Sequence, residues 1–195
     1  MIKTKIISNH PNHFFINSDN SIFIADYTEL TKTLPIKRSV EIYTPNPCID
    51  NDYFSILNPN KVNLESIVFN NNSFVYSNGA SKSQCETVTF PNPSNINSWI
   101  LFLELKYGIN PLNNRKNLKK AIKQLFKTRY HYIQSKVFNK NENICYLIAS
   151  LPKQSEPFAN FALTPSYLLN LKTKHNIILR AKNSVQIEND TLILV

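Results

Sequence analysis

The chain has 195 residues, which is long enough for one substantial hydrophobic core. Hydrophobic residues make up 42% of it and charged residues 18%, a composition that is typical of a globular protein and excludes a disordered chain. Lys and Arg outnumber Asp and Glu by 22 to 13, and the formal charge of +9 favours a polyanionic partner, most commonly nucleic acid.

The apolar segments are short. The opening MIKTKIISNHPNHFF has no apolar run of the signal-peptide type, and no segment approaches the roughly 18 apolar residues of a membrane helix. We therefore expect a soluble, cytoplasmic protein with no membrane partner. Cys48, Cys85 and Cys145 are odd in number and form no CxxC pair, which predicts small buried residues rather than a disulfide framework or zinc knuckle.

The first part of the chain is predicted to be strands and loops. Its β-type runs are separated by Asn, Pro and Asp clusters, and they are KIIS, SIFIADY, SVEIYTP, SIVF and SFVYS. We assign residues 1–61 to a β-rich N-terminal region that serves dimerisation or substrate clamping. His10 and His13 have HxxH spacing, but Pro11 lies between them and no carboxylate or cysteine is near, so an exposed loop is predicted there.

The second part is more regular. Its segments predict, in order, a strand at 85–90, a turn, a strand at 99–108, a helix at 115–138, a strand at 143–151, a helix at 164–175 and two or three final strands. The short turn makes the first two strands antiparallel, and the helix that follows allows a parallel crossover. The predicted fold class is α/β (α+β), with a central mixed sheet flanked by helices over residues 62–195.

The helix at 115–138 is amphipathic, with one strongly basic side. Its predicted core positions, which include Tyr130, recur at helical spacing. Between Leu105 and Asn141 there are ten basic residues and no acidic one. Such a surface is either an ordinary solvated face or a contact for a phosphate backbone. The residues predicted to contact nucleic acid are Arg115, Lys116, Lys119, Lys120, Lys123, Lys127 and Arg129.

Glu104 and Lys106 interrupt the end of the apolar run WILFL. Residues two apart in a strand point to the same face, so these side chains are predicted to lie side by side. As a surface ion pair they would contribute only about 0–1 kcal/mol. Glu86 precedes the neighbouring strand and can meet Glu104 if the register allows it. Two carboxylates at one point are a minimum for holding a hard divalent cation.

Together these residues resemble the PD-(D/E)xK nuclease superfamily, whose fold is restriction-endonuclease-like. The resemblance rests on Glu86, on ELK at 104–106 and on AIKQL at 121–125, which fits an AxxQ pattern, and it covers about residues 62–151. The chain departs from the family pattern in having Cys-Glu where Pro-Asp is usual.

The resemblance implies a Mg²⁺-dependent endonuclease that cuts DNA, with RNA not excluded, in restriction, defence or DNA processing, and that acts as a homodimer. Glu86, Glu104 and the backbone carbonyl of Leu105 would hold Mg²⁺, for which Mn²⁺ substitutes, and Lys106 would activate water. Gln124 and Glu65 would have supporting roles. The alternatives are a non-catalytic nucleic-acid-binding or assembly subunit with the same fold, and a protein-interaction module that merely carries an exposed ion pair.

Overall fold

The computed structural model describes all 195 residues. It has three layers: three of its four helices, a six-stranded sheet and a five-stranded sheet. The helices are α1 (Ile2–Asn9), α2 (Thr28–Thr31), α3 (Asn114–Gln134) and α4 (Pro165–His175). The strands are β1 (Phe15–Ser18), β2 (Ile22–Asp26), β3 (Val40–Tyr43), β4 (Phe54–Leu57), β5 (Leu64–Val68), β6 (Thr87–Pro91), β7 (Ile100–Leu105), β8 (Cys145–Ser150), β9 (Ile177–Ala181), β10 (Ser184–Ile187) and β11 (Ile193–Leu194).

The six-stranded sheet has the order β1-β5-β6-β7-β8-β9. Its first four strands pair antiparallel, whereas β7, β8 and β9 are parallel to one another. Helices α3 and α4 make the two crossovers that parallel neighbours require. The mixed α/β class is therefore confirmed, as are the antiparallel β6–β7 pair and the parallel crossover to β8.

Residues of β7 divide between two cores because successive side chains point to opposite faces of the sheet. Ile100 and Phe102 join the core beneath the helices, where Leu118 and Leu125 of α3 are also fully buried. Leu101 and Leu103 join the core between the two sheets. Both faces of this central strand are thus covered by apolar side chains, which explains its continuous apolar sequence.

The second sheet has the order β11-β10-β4-β2-β3 and covers the other face of the first. Its strands come from both ends of the chain, since β4 pairs in parallel with β10. Likewise β1 completes the first sheet beside β5. The division at residues 61 and 62 stays a prediction, and strands from both sides of it contribute to both sheets.

Four local predictions differ from the structure. KIIS is part of α1, where Ile2 and Ile6 turn one face into the core. SFVYS forms only an isolated bridge, between Val75 and Ser81. NHPNH is an exposed loop only in part, since Asn9, Pro11 and Asn12 are exposed but His13 is 6% exposed and stacks on His10. The long helix ends at Gln134, before the predicted residue 138.

Tyr130 is also misplaced by the sequence prediction. It is 58% exposed, whereas Tyr132 is fully buried. At 3.6 residues per turn, Tyr132 continues the buried row of Leu118, Ala121 and Leu125, and Tyr130 falls on the opposite side of α3. A large aromatic ring is therefore presented to solvent.

The three cysteines are free and buried, as predicted. None of the helices combines the length and the apolar character that crossing a membrane requires.

Candidate functional site

Glu86 and Glu104 meet where β6 begins and β7 ends. Glu86 lies one residue before β6, and its backbone N–H donates to the carbonyl of Leu103 at 3.1 Å. One oxygen of its carboxylate, Oε2, accepts the backbone N–H of Leu105 at 3.0 Å. The Glu86 carboxylate is thereby fixed against the backbone that joins Glu104 to Lys106.

Glu104 is completely buried in the helix-side layer, on the same face of β7 as Ile100 and Phe102. Its Oε1 forms an ion pair with the Nζ of Lys106, so the side chains two residues apart do lie side by side. Its Oε2 is buried without a hydrogen-bond partner. A buried carboxylate oxygen with no donor is energetically costly, which marks this atom as a place for a cation or a proton.

Both carboxyl groups hold their protons more tightly than in water. Burial raises the pKa of Glu104 to about 7, although the Lys106 ammonium opposes the rise. Burial, followed by the charge of Glu104, raises the pKa of Glu86 well above its usual value. Two acidic groups packed together in a site of low polarity are typical of a catalytic or cation-binding centre.

Asp26 is a third carboxylate, which sequence analysis did not single out. It ends β2 in the second sheet, yet its charge contributes to raising the pKa of both Glu86 and Glu104. It shares a cavity of about 410 Å³ with Lys106 and Asn117. The only sequence signal for Asp26 as a site residue was its position directly after the apolar run SIFIA. Nothing in the sequence indicated that this end of β2 would lie near Glu86 and Glu104.

The acidic groups supply oxygen ligands of the kind that a divalent cation prefers, but they do not form a compact cluster. Carboxylate oxygens are the ligands that Mg²⁺ and Mn²⁺ prefer, and the unpartnered Oε2 of Glu104 would gain a partner. No three His, Cys, Asp or Glu side chains are close enough together to form a complete metal site by themselves. Glu86 and Glu104 would hold the ion, and water or substrate oxygens would complete its shell, as is usual for Mg²⁺.

Helix α3 holds the segment that leads to Glu86. The backbone N–H of Cys85 donates to the Oγ1 of Thr128 at 2.6 Å, and the Nε2 of Gln124 donates to the carbonyl of Gln84 at 3.0 Å. Gln124 therefore positions the chain before Glu86, which gives its predicted supporting role a physical form. Its Oε1 is buried and has no partner.

The basic side of α3 is exposed, with one exception. Arg129 is buried and donates to the carbonyl of His175 at 2.9 Å, so its guanidinium is committed to the interior. We correct the prediction that it belongs to a nucleic-acid surface. The five exposed members of the predicted set are Arg115, Lys116, Lys119, Lys120 and Lys123, and Lys127 is half-buried. The charge of Lys120 acts on Glu104, which places the N-terminal half of α3 beside the site.

Glu65 does not belong to the site. It lies on β5, is 1% exposed and forms an ion pair with Lys3 of α1 at 2.6 Å. Its partner across the sheet is Phe90, near the end of β6 that is remote from Glu86. The prediction of a supporting role at the site is wrong because the carboxylate is used to anchor α1.

Comparison of the chain with protein-family models, with curated proteins and with solved structures gives no match. The functional argument therefore depends on the geometry of the site.

Proposed function

We propose that the protein is a metal-dependent nuclease of the PD-(D/E)xK type that hydrolyses phosphodiester bonds in DNA. The observation that carries the proposal is the meeting of Glu86, Glu104 and Lys106 where two adjacent antiparallel strands begin and end. The fully buried Glu104 and its unpartnered oxygen distinguish this group from an ordinary surface ion pair.

The order of elements around the site supports the same proposal. Three antiparallel strands, β5, β6 and β7, are followed by α3 and then by the parallel strand β8. The acidic residue that precedes β6 and the ELK that ends β7 occupy the places that the resemblance assigns to them. Roles in restriction or defence, and a homodimeric state, belong to the proposal by resemblance.

Each residue has a distinct part in the proposed chemistry. Glu86 and Glu104 would hold Mg²⁺, which when bound supplies Lewis-acid charge to a phosphate oxygen and activates water. Lys106 keeps a compact positive charge beside Glu104, where it stabilises the negative charge that grows on the phosphate and orients the attacking water. Asp26 adds negative charge at the rim of the cavity and favours cation entry.

The exposed lysines of α3 would hold the substrate. No acidic residue interrupts them, and phosphate contacts by such a row give binding without sequence preference. Affinity is expected to fall steeply with salt, with a slope that decreases by about one for each phosphate contact removed.

The experiment compares wild type with Glu104→Gln and Lys106→Met on short single-stranded and duplex DNA, with and without Mg²⁺. We expect cleavage only by wild type in Mg²⁺, with a loss in each variant of at least about 100-fold, the scale seen when a transition-state charge partner is removed. Binding of DNA in EDTA should persist in both variants. Glu188→Gln, in the connection between β10 and β11 of the second sheet, is the matched control.

A non-catalytic nucleic-acid-binding subunit is the second candidate. It is favoured by the direct pairing of Lys106 with Glu104, which occupies one oxygen of a predicted metal ligand. No cleavage of DNA or RNA by wild type in Mg²⁺ or Mn²⁺, together with salt-dependent binding, would establish this candidate instead.

A further inference from the structure

A groove beside the C-terminal half of α3 is not used by the proposed chemistry. It encloses about 580 Å³ between α3 and the segment that runs from Phe74 to Ser83. Its walls carry Phe74, Tyr76, Lys82, Lys127, Tyr130 and His131. We refer to it as the aromatic groove.

Flat aromatic surface is presented openly in this groove. Tyr130 is 58% exposed and Tyr76 is 54% exposed, although large aromatic rings are usually buried in a core. In the same groove, the His131 ring lies against Phe74, with centroids 5.0 Å apart and planes tilted by 33°. The two exposed tyrosine rings therefore offer aromatic surface on which a ligand can stack.

The charges of the groove select a ligand with phosphate groups. Lys82 lies 5.3 Å from the centre of the Tyr76 ring, and Lys127 is on α3 one turn before Tyr130. No acidic residue lines the groove. A planar ring carrying negative charge, as in a nucleotide, matches both the aromatic rings and the lysines.

The histidines that border the groove are occupied within the protein. The Nε2 of His10 is hydrogen-bonded to the Oγ of Ser135 at 2.7 Å, and the Nε2 of His131 lies 3.2 Å from the carbonyl of Ser83. These contacts hold both rings in place at the border of the groove.

The groove lies close to the candidate catalytic site along the chain. Ser83 lines the groove, and Glu86 is three residues further on, which even a fully extended chain spans in about 10 Å. On α3, Lys127 is seven residues after Lys120, which is also a rise of about 10 Å. A stacked strand advances about 3.4 Å per nucleotide and an extended strand advances further, so that distance corresponds to about three nucleotides or fewer.

We propose that the aromatic groove binds an unpaired base of the substrate, so that the protein acts on single-stranded or locally unpaired nucleic acid. This inference takes the nuclease function as its premise, because it assigns the groove to the strand that reaches Glu86 and Glu104. Bases in a duplex are stacked on their neighbours and cannot enter such a groove without unpairing.

The test measures binding of a fluorescent thymidine oligonucleotide and of a duplex of the same length by anisotropy, in EDTA, with the full chain. Tyr130→Ala should weaken single-strand binding about tenfold, the usual loss for one stacked base, and change duplex binding less than twofold. Tyr130→Phe, which keeps the ring, should bind as wild type does. Tyr167→Ala, which removes a 41% exposed tyrosine from α4, should have no effect.

An equal loss for single strand and duplex, or no loss in Tyr130→Ala, would overturn the inference. An acidic peptide that competes as well as the oligonucleotide would overturn it too, since the groove would then be a peptide site. A uridine oligonucleotide should show the same tenfold loss, because the rings contact the face of the base. If no substrate is cleaved but the selective loss persists, the nuclease proposal fails and the base-binding groove stands.

Discussion

Glu104 has an environment unlike that of an ordinary carboxyl group in water. It is fully buried, one of its oxygens pairs with Lys106, and the other has no partner. Burial raises its pKa from 4.5 to about 7. Between these two pH values the folded protein therefore retains a proton that the unfolded chain releases.

This retained proton makes the stability of the metal-free protein depend on pH. Because the native state binds more protons, the contribution of Glu104 is fully present below about pH 4.5 and is lost as pH rises through about 7. At 1.36 kcal/mol per pKa unit, the loss is about 3 kcal/mol. Glu104→Gln, which stays neutral, should lack this loss, so the variant should gain stability relative to wild type between pH 5 and 8.

Urea unfolding of both proteins across that pH range measures the difference directly. Mg²⁺ at pH 8 should raise the Tm of wild type and leave that of Glu104→Gln unchanged, since a ligand stabilises only the state that binds it. The control Glu188→Gln should follow wild type throughout. A parallel pH profile for wild type and Glu104→Gln would show that the buried carboxyl does not titrate in this range.

At the scale of elements, α3 sets the position of Glu86 through a buried hydrogen bond. The Oγ1 of Thr128 accepts the backbone N–H of Cys85 and donates to the carbonyl of Gln124. These contacts join α3 to the segment that leads into β6, so we expect loss of the Thr128 hydroxyl to shift the residue that follows Cys85, which is Glu86.

Thr128→Val keeps the shape of the side chain but removes the acceptor. The buried N–H of Cys85 would lose its partner, so we expect unfolding to become easier by about 1–3 kcal/mol. If Thr128 positions Glu86, kcat should fall while the KM for DNA changes little. Thr128→Ser, which keeps the hydroxyl, should restore both the stability and kcat. Thr173→Val, on the exposed side of α4, removes a similar hydroxyl and should have neither effect. A loss of stability with normal kcat would show that Thr128 is only a packing residue.

The sequence was informative where neighbouring elements are also neighbours in space. The β6–β7 pair, α3 and β8 follow one another, so local patterns and a short turn were enough to bring Glu86 and Glu104 together. Asp26 was not predictable, because its position depends on how the second sheet packs. Tyr130 was misassigned because two apolar rows along α3 have similar spacing, and only packing against β7 and β8 selects the row through Leu118 and Leu125.

At the scale of the whole molecule, each of the two sheets contains strands from both ends of the chain. Residues 1–61 supply β1 to one sheet and β2 to β4 to the other. Removing them would leave β10 and β11 without their sheet. The only tryptophan, Trp99, is fully buried between the sheets and donates its indole N–H to the carbonyl of Asn189. The fluorescence of Trp99 therefore reports on the packing of the two sheets against each other.

We expect the chain to unfold in one cooperative transition, despite its two sheets. Ile56→Ala in the second sheet and Leu147→Ala in the first each delete fully buried side chains and should cost about 2–5 kcal/mol. Since each sheet is completed by strands from both halves of the chain, either variant should shift the transitions seen by Trp99 fluorescence and by far-UV circular dichroism together. Two separate transitions, with only one of them moved by Ile56→Ala, would instead show that residues 1–61 form a unit of their own.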